Sequence, residues 1–294
     1  ICLVAAGGGC EGALPTEVMP DFASSGGWQY FRPRVEGGFL RFFWSPDRKS
    51  WRVQSKSGVT MELGVPSDNP SDAQGLESEP NVASHVFRWL LVRQYDAQRG
   101  PDGHPVNLTV YGYGQTVEGG ARYLTDVYDT SPAADPSNTG NLGAWAHHAR
   151  LVYEPRPDTS FSYKRGWKTA TTVRLARVDV TARELALPAR SLVRRVRLSY
   201  NGVYHGSLLE QVKVEGRCDE ALVEDAAGGL PTTPCPALPP LTLGYSHVGP
   251  NGAPGDLPGY EAFDETIRDF GAGSPDHSVD EDQTDLFDVN ADGL

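Results

Sequence analysis

The sequence predicts an all-β protein of long antiparallel strands and hairpins, and three observations carry that reading. Glycine and proline are dense, at 33 and 23 of 294 residues. Each interior Gly or Pro costs a helix about 1 or about 3 kcal/mol, which excludes long helices and coiled coils. Apolar and polar residues alternate with period two in segment after segment, as in strands with two unlike faces. Finally, 39% of residues are hydrophobic and the 28 aromatics spread along most of the length, so the chain can bury a core. No run approaches the roughly 18 apolar residues of a membrane-spanning helix.

The elements follow in order. Ile1-Cys2-Leu3-Val4-Ala5-Ala6 and Gly7-Gly8-Gly9-Cys10 read as a short strand and a glycine turn. An export signal fits less well, because no basic residue precedes the run and glycines fill the positions before Cys10. Trp28, Tyr30, Phe31, Phe42, Phe43, Trp44 and Trp51 lie close in sequence. They admit two readings: core and cross-strand pairs, or a sugar-stacking surface. Trp51-Arg52-Val53-Gln54 alternates into a turn at Ser57-Gly58. Val82–Tyr95 has a helix-compatible stripe, but Val86-Phe87-Arg88-Trp89-Leu90-Leu91-Val92 is β-branched and aromatic and runs through turn residues toward Val106. A long hairpin is therefore expected there, with a strand at Phe87–Tyr95. Alternation returns at Val106–Tyr111, Val173–Val180, Val196–Tyr200, Val212–Glu215 and Leu241–Tyr245. In each, one face is aliphatic or aromatic and the other carries Arg, Lys, Thr or Ser, which predicts one buried and one wetted face. Residues 66–81, 130–144 and 249–259 read as loops.

Net charge is −12, but it is not evenly spread. From Asp256 to Leu294 there are 12 acidic residues and one base, Arg268, while the first 255 residues carry 26 acids and 25 bases. Neither part is basic enough to attract a phosphate backbone, so nucleic acid is not an expected partner. The expected division is a body over residues 1–248 and an acidic linker with a truncated repeat over 249–294. The acidic stretch is read as a solvated linker or a cation-binding segment.

Four cysteines fall as two local pairs, Cys2 with Cys10 and Cys218 with Cys235. Neither pair has C-x-x-C spacing, so a zinc knuckle or thioredoxin-like motif is unsupported. A Cys218–Cys235 bridge is expected across a Gly-, Pro- and acid-rich loop, where it would contribute about 3 kcal/mol. Cys2–Cys10 is a second candidate. Such bridges imply an oxidising, exported setting, so a secreted, extracellular protein is expected.

The strongest ligand motif is Asp288-Val289-Asn290-Ala291-Asp292-Gly293. Calcium takes six to eight oxygens at about 2.3–2.6 Å, and alternate Asp288, Asn290 and Asp292 supply them while Gly293 permits the turn. The later ligands are missing, so this reads as the first half of a calcium-loop pattern, and the chain reads as a fragment of a longer protein. Enzyme motifs are near-misses. Gly244-Tyr245-Ser246-His247-Val248-Gly249 is one residue too long for a nucleophile elbow. Glu77-Ser78-Glu79 has the E-x-E spacing of ADP-ribosyltransferases but lies in a polar stretch, and His147 and His148 would face opposite sides of a strand. Arg174, Arg177, Arg194, Arg195 and Arg197 read as solvent or inter-strand salt-bridge positions, or as a cargo-facing lining.

The order of blocks carries a resemblance. Tyr30-Phe31-Arg32-Pro33-Arg34-Val35-Glu36-Gly37-Gly38-Phe39-Leu40-Arg41-Phe42 leads to Trp51-Arg52-Val53 and Lys56-Ser57-Gly58-Val59-Thr60. Phe87-Arg88-Trp89, Tyr153-Glu154-Pro155-Arg156-Pro157-Asp158 and Gly166-Trp167 follow. Then come Leu192-Val193-Arg194-Arg195, Leu198-Ser199-Tyr200 and Leu238-Pro239-Pro240-Leu241-Thr242-Leu243-Gly244-Tyr245. This succession resembles the N-terminal domain of the Salmonella virulence-plasmid B protein (SpvB), which also opens the TcB component of insecticidal toxin complexes. The resemblance implies part of a large β-sheet shell, completed by a TcC or Rhs-type partner and enclosing a toxic segment. It also implies a following FG-GAP or VCBS-like β-propeller that docks a TcA-type translocation component, with Asp288–Leu294 similar to the start of such a repeat. In SpvB an actin ADP-ribosyltransferase is a separate region. The expected function is thus a non-enzymatic structural segment of a secreted toxin-complex protein, joined to the remainder of its own chain. The rival is an extracellular carbohydrate-binding or glycan-hydrolysing β-protein.

Overall fold

The computed structural model describes residues 2–3, 19–115, 121–133, 136–184, 187, 189–202 and 206–245. Residues 1–243 form one compact unit. Its strands are β1 (Cys2–Leu3), β2 (Gln29–Arg32), β3 (Arg41–Trp44), β4 (Ser50–Gln54), β5 (Thr60–Gly64), β6 (Leu76–Glu79) and β7 (Val82–Trp89). They continue as β8 (Leu91–Tyr95), β9 (Leu108–Gln115), β10 (Arg122–Asp129), β11 (His147–Ser162), β12 (Thr169–Arg183), β13 (Arg190–Asn201), β14 (Leu208–Glu215) and β15 (Leu241–Thr242). Thirteen of them form one antiparallel sheet in chain order, and β6 pairs with β7 in a separate two-stranded sheet. The one helix among the described residues of more than a single turn's length is α1 (Asp21–Ser25). The all-β architecture and the large antiparallel sheet are as the sequence predicts.

The register places one continuous row of side chains on a single face of ten strands. It runs Tyr30, Phe43, Arg52, Glu62, Arg93, Val110, Tyr128, His148, Thr181 and Leu192. Three small cores form along this row, each where a non-strand segment folds over it. Ala23 of α1 covers Tyr30 and Phe43. Trp145, beside the turn at Leu142–Ala144, covers Leu108 and Val110. Leu230 and Cys235, from the segment after β14, cover Leu192. A single sheet closed in patches replaces the two facing layers of a sandwich.

The strand expected at Phe87–Tyr95 is present but divided. Leu90 falls between β7 and β8; its N–H donates to Gly75 O at 2.7 Å and its carbonyl accepts from Gly64 N–H at 2.8 Å. β7 leaves with β6, while β8 enters the main sheet beside β5 and β9. Gly64 has φ +88°, and a Cβ on Gly75 would collide with the Gly64 carbonyl, so both positions need glycine. The same branch places β6 inside the stretch 66–81 that reads as a loop; its Leu76 and Glu77 are buried rather than solvated.

Candidate functional site

The alternating strands do have two unlike faces; Val53, Leu108 and Val110 are buried as expected, but in β12–β14 burial reverses the expected assignment. Arg195, Asp179, Glu215, Thr181 and Arg190 are buried, Arg195 and Glu215 completely. On the opposite face the register partners Leu151, Val178, Val196 and Val214 are only half-buried. The cause is the irregular segment 216–240, which straps across the charged face of β11–β14. A strap without strands or helices must find partners for its own backbone polar groups. Pro231, Pro234, Pro236, Pro239 and Pro240 contribute carbonyls but no N–H, so this segment is rich in acceptors. Arginines on the sheet supply the donors. Arg195 donates from Nη2 to Pro231 O at 2.8 Å and from Nη1 to Thr233 O at 3.0 Å. Arg197 donates to Thr232 O at 2.9 Å, Arg177 to Leu230 O at 3.4 Å, and Arg150 to Ala227 O.

Two carboxylates on the sheet anchor these guanidiniums. Asp179 receives Arg195 Nε at 2.6 Å on one oxygen and Arg177 Nε at 3.0 Å on the other. Glu215 receives Arg197 Nε at 2.7 Å, with Lys213 Nζ at 3.6 Å. Burial works against the Glu215 charge, yet the hydrogen bond and charge of Arg197 hold its carboxyl below the usual range. Of the five arginines singled out in the sequence, Arg195 and Arg197 thus make inter-strand salt bridges and strap contacts, while Arg177 pairs with Asp179 within its own strand and also reaches the strap. Arg174 pairs with Glu154 at 2.7 Å, and Arg194 is exposed on the other face.

A second cluster locks the first half of the strap. His148 is completely buried, its ring stacked on Tyr128 at 4.2 Å and 5°. Its Nδ1 lies 2.9 Å from Glu224 Oε1 of the strap and its Nε2 lies 2.9 Å from Asp126 Oδ1 of β10. With a carboxylate at each nitrogen, both nitrogens serve best as donors, the imidazolium state. Burial opposes that charge, but the bonds to Asp126 and Glu224 prevail and raise the His148 pKa. Glu224 also receives Arg190 at 2.8 Å and the Thr181 hydroxyl. Burial pushes its carboxyl up, and these partners bring it down to about 2. His148, Thr181, Arg190 and Glu224 thus tie β10–β13 to the strap, and the arrangement is a fastening.

The other sequence-selected residues are placed as follows. Cys218 and Cys235 form a disulfide with Cα atoms 4.7 Å apart, closing the strap on itself. Cys2 lies in β1, and Cys10, with the pairing between them, lies outside the described residues, as do Asp288, Asn290, Asp292 and the Ser246-His247 pair. Glu77 of the E-x-E triplet is buried against Arg88 at 3.3 Å and Arg165 at 3.0 Å, while Glu79 pairs with His85 at 2.8 Å. His147 faces away from His148 and pairs with Asp129 at 2.6 Å. Trp44 and Trp51 are register partners stacked at 5.3 Å with Trp89 edge-on to both, and Tyr30 stacks on Phe43 at 5.2 Å. These are cross-strand pairs. An open cavity of about 420 Å3 does lie beside Trp28 and Trp51, and Glu62 and Asp47 line it. Both carboxylates are already spent, Glu62 on Ser67 and Tyr95, Asp47 on Ser45 and Lys49. Among the described residues no group of three His, Cys, Asp or Glu side chains could hold a metal ion. No described helix is long and apolar enough to cross a membrane.

Solved structures provide the comparison that matters. The N-terminal domain of effector protein SpvB from Salmonella typhimurium strain LT2 superposes with a TM-score of 0.52 at 18% identity, over 64% of this chain and 69% of that one. The chain has the SpvB-type fold. A TcdB2–TccC3 structure matches with a TM-score of 0.55 at 19% identity, over 76% of this chain. The Photorhabdus luminescens Tc holotoxin pore matches with a TM-score of 0.55 at 18% identity, over 75% of it. This chain spans only 12% of the matched chain in each of those two assemblies. No protein-family profile and no curated protein matches the sequence. The SpvB-type fold is thus a structural match at 18–19% sequence identity.

The fastening residues His148, Asp126, Glu224, Asp179 and Glu215 carry no sequence motif. A signal was nonetheless present: arginines at every second position, Arg195 and Arg197, followed by a cystine loop in which prolines crowd out N–H donors.

Proposed function

We propose that this chain is a non-enzymatic structural segment of a secreted toxin-complex protein, helping to enclose and deliver a toxic segment. One observation carries the reading: a single open antiparallel sheet of SpvB type presents a half-buried aliphatic face, Leu151, Val178, Val196 and Val214, while its charged face is sealed by its own strap. A wall with one self-sealed side and one apolar side suits a shell whose interior is completed by other protein. In this reading its partners are the remainder of its own chain, a TcC or Rhs-type shell partner and a TcA-type translocation component. Calcium at Asp288, Asn290 and Asp292 would order the acidic segment.

The test is expression of residues 1–294 alone and together with the polypeptide encoded around it, followed by sizing and a glycan and ester hydrolysis screen. The proposal expects self-association alone, a defined species when co-expressed, and no turnover in either. A monomer that hydrolyses a glycan, and loses that activity on Glu62→Gln, would favour the carbohydrate-active alternative.

A further inference from the structure

The β11–β12 hairpin is much longer than its neighbours. β10 pairs with it only at His147–Arg150, and β13 only at Arg177–Arg183, whereas its own ladder continues to Ser162 and Thr169. The far end therefore reaches beyond the main sheet, where it meets β7 of the small sheet. Phe87 of β7 lies edge-on to Trp167 at 6.1 Å, and the Arg165 guanidinium sits 5.0 Å from the Phe87 ring centre.

An open cavity of about 290 Å3 lies between the two elements. Phe87 and Phe161 stand in its walls, Arg88, Lys164 and Arg165 supply its cations, and its described lining holds no carboxylate. Behind it, Glu77 offers one carboxylate oxygen to both Arg88 and Arg165, so a single negative charge faces two guanidiniums. Lys164 is exposed and makes no ion pair with a described residue. The cavity is therefore left with excess positive charge. Its aromatic rim is unusual for a solvated surface: Phe161 is 66% exposed and Tyr163 62%, the two rings edge to face at 6.0 Å. Adjacent exposed aromatics beside cations, at the end of a long hairpin, have the make-up of a protein-binding hot spot.

We infer that this cavity binds an acidic segment of a partner protein, a carboxylate meeting Arg88 and Lys164 while a neighbouring apolar side chain packs between Phe87 and Phe161. Charge complementarity selects the carboxylate, and the aromatic walls select a peptide over a free anion, which would leave them wet. The occupant's being protein rests on the toxin-complex reading above; the charge and shape of the cavity do not.

The experiment is fluorescence anisotropy on the 294-residue chain, using a fluorescein-labelled peptide of alternating glutamate and phenylalanine. Its controls are a lysine–phenylalanine peptide, a glutamate–alanine peptide and inorganic phosphate as competitor. Saturable binding of the acidic aromatic peptide alone is expected, weakened about tenfold or more by either Phe161→Ala or Lys164→Glu. Both side chains are exposed, so thermal melts of the variants should match the parent. Absence of saturable binding, or binding unchanged in both variants, overturns the site. Equal binding of the glutamate–alanine peptide with full displacement by phosphate also overturns it, in favour of a simple anion site. Loss of peptide binding in a chain that still assembles with its co-expressed polypeptide is not a failure of the structural role, which the sizing experiment tests separately.

Discussion

Replacing Arg195 by alanine probes the strap most directly. The side chain is completely buried, holds Asp179 at 2.6 Å and caps two strap carbonyls, Pro231 and Thr233. Removing one member of a buried ion pair costs about 3–5 kcal/mol, because the charge left behind loses its compensation. Asp179 keeps Arg177 at 3.0 Å, which limits that part of the loss. The two carbonyls lose donors in a segment that has few of its own, at roughly 1–3 kcal/mol each if water cannot replace them. Water does reach the strap's outer surface, so a total of about 4 kcal/mol is reasonable. For a unit of this size that lowers the melting temperature by roughly 10 °C. Differential scanning fluorimetry reads the shift, and limited proteolysis followed by mass spectrometry should show new cleavage within residues 217–240. A melting temperature within about 1 °C of the parent, with no new cleavage, would refute the account of the strap as guanidinium-fastened.

Four other outcomes are expected. His148 has its pKa raised above the ordinary 6.5, so its contribution is complete below that pH and disappears as pH rises through the raised value. A melt series should show an alkaline loss of stability that His148→Gln removes. Glu224, held at about 2 against an ordinary 4.5, contributes fully above 4.5 and loses its contribution only as pH falls toward 2, which Glu224→Gln should abolish in the same series. Replacing Cys218 and Cys235 together by serine opens a bridge between residues 17 apart and should cost about 3 kcal/mol, measured by urea unfolding. Calorimetry on a chain extended past Leu294 should show calcium binding that Asp288→Ala removes, since the ion would relieve repulsion among clustered carboxylates.

Much of the sheet was legible as alternation. Val173–Val180 falls inside β12, Val196–Tyr200 inside β13 and Val212–Glu215 inside β14, because a pleated strand repeats every two residues whatever surrounds it. Alternation defines two faces but not which one is covered. Coverage here depends on residues 216–240, which have no period to read, so the charged face looked wetted and is in fact sealed. The break at Leu90 was hidden for a similar reason: an unbroken apolar run cannot reveal that its halves serve two sheets. What gives it away is a pair of remote glycines, Gly64 and Gly75, whose closeness exists only in three dimensions. His148 looked unremarkable because its partners, Asp126 and Glu224, lie 22 and 76 residues away.

The strand order has a consequence for how the chain comes to be folded. Apart from the excursion through β6 and β7, each strand of the main sheet lies beside its predecessor in sequence. Such a meander can zip forward hairpin by hairpin as the polypeptide emerges, without waiting for distant partners. The strap is the exception, because it can close only after β14 is in place. Until then the face awaiting it displays arginine, aspartate, glutamate and histidine instead of bare hydrocarbon. An unstrapped intermediate would therefore stay hydrated and resist sticking to its neighbours, and the late closure of the cystine loop would turn that water-compatible surface into interior.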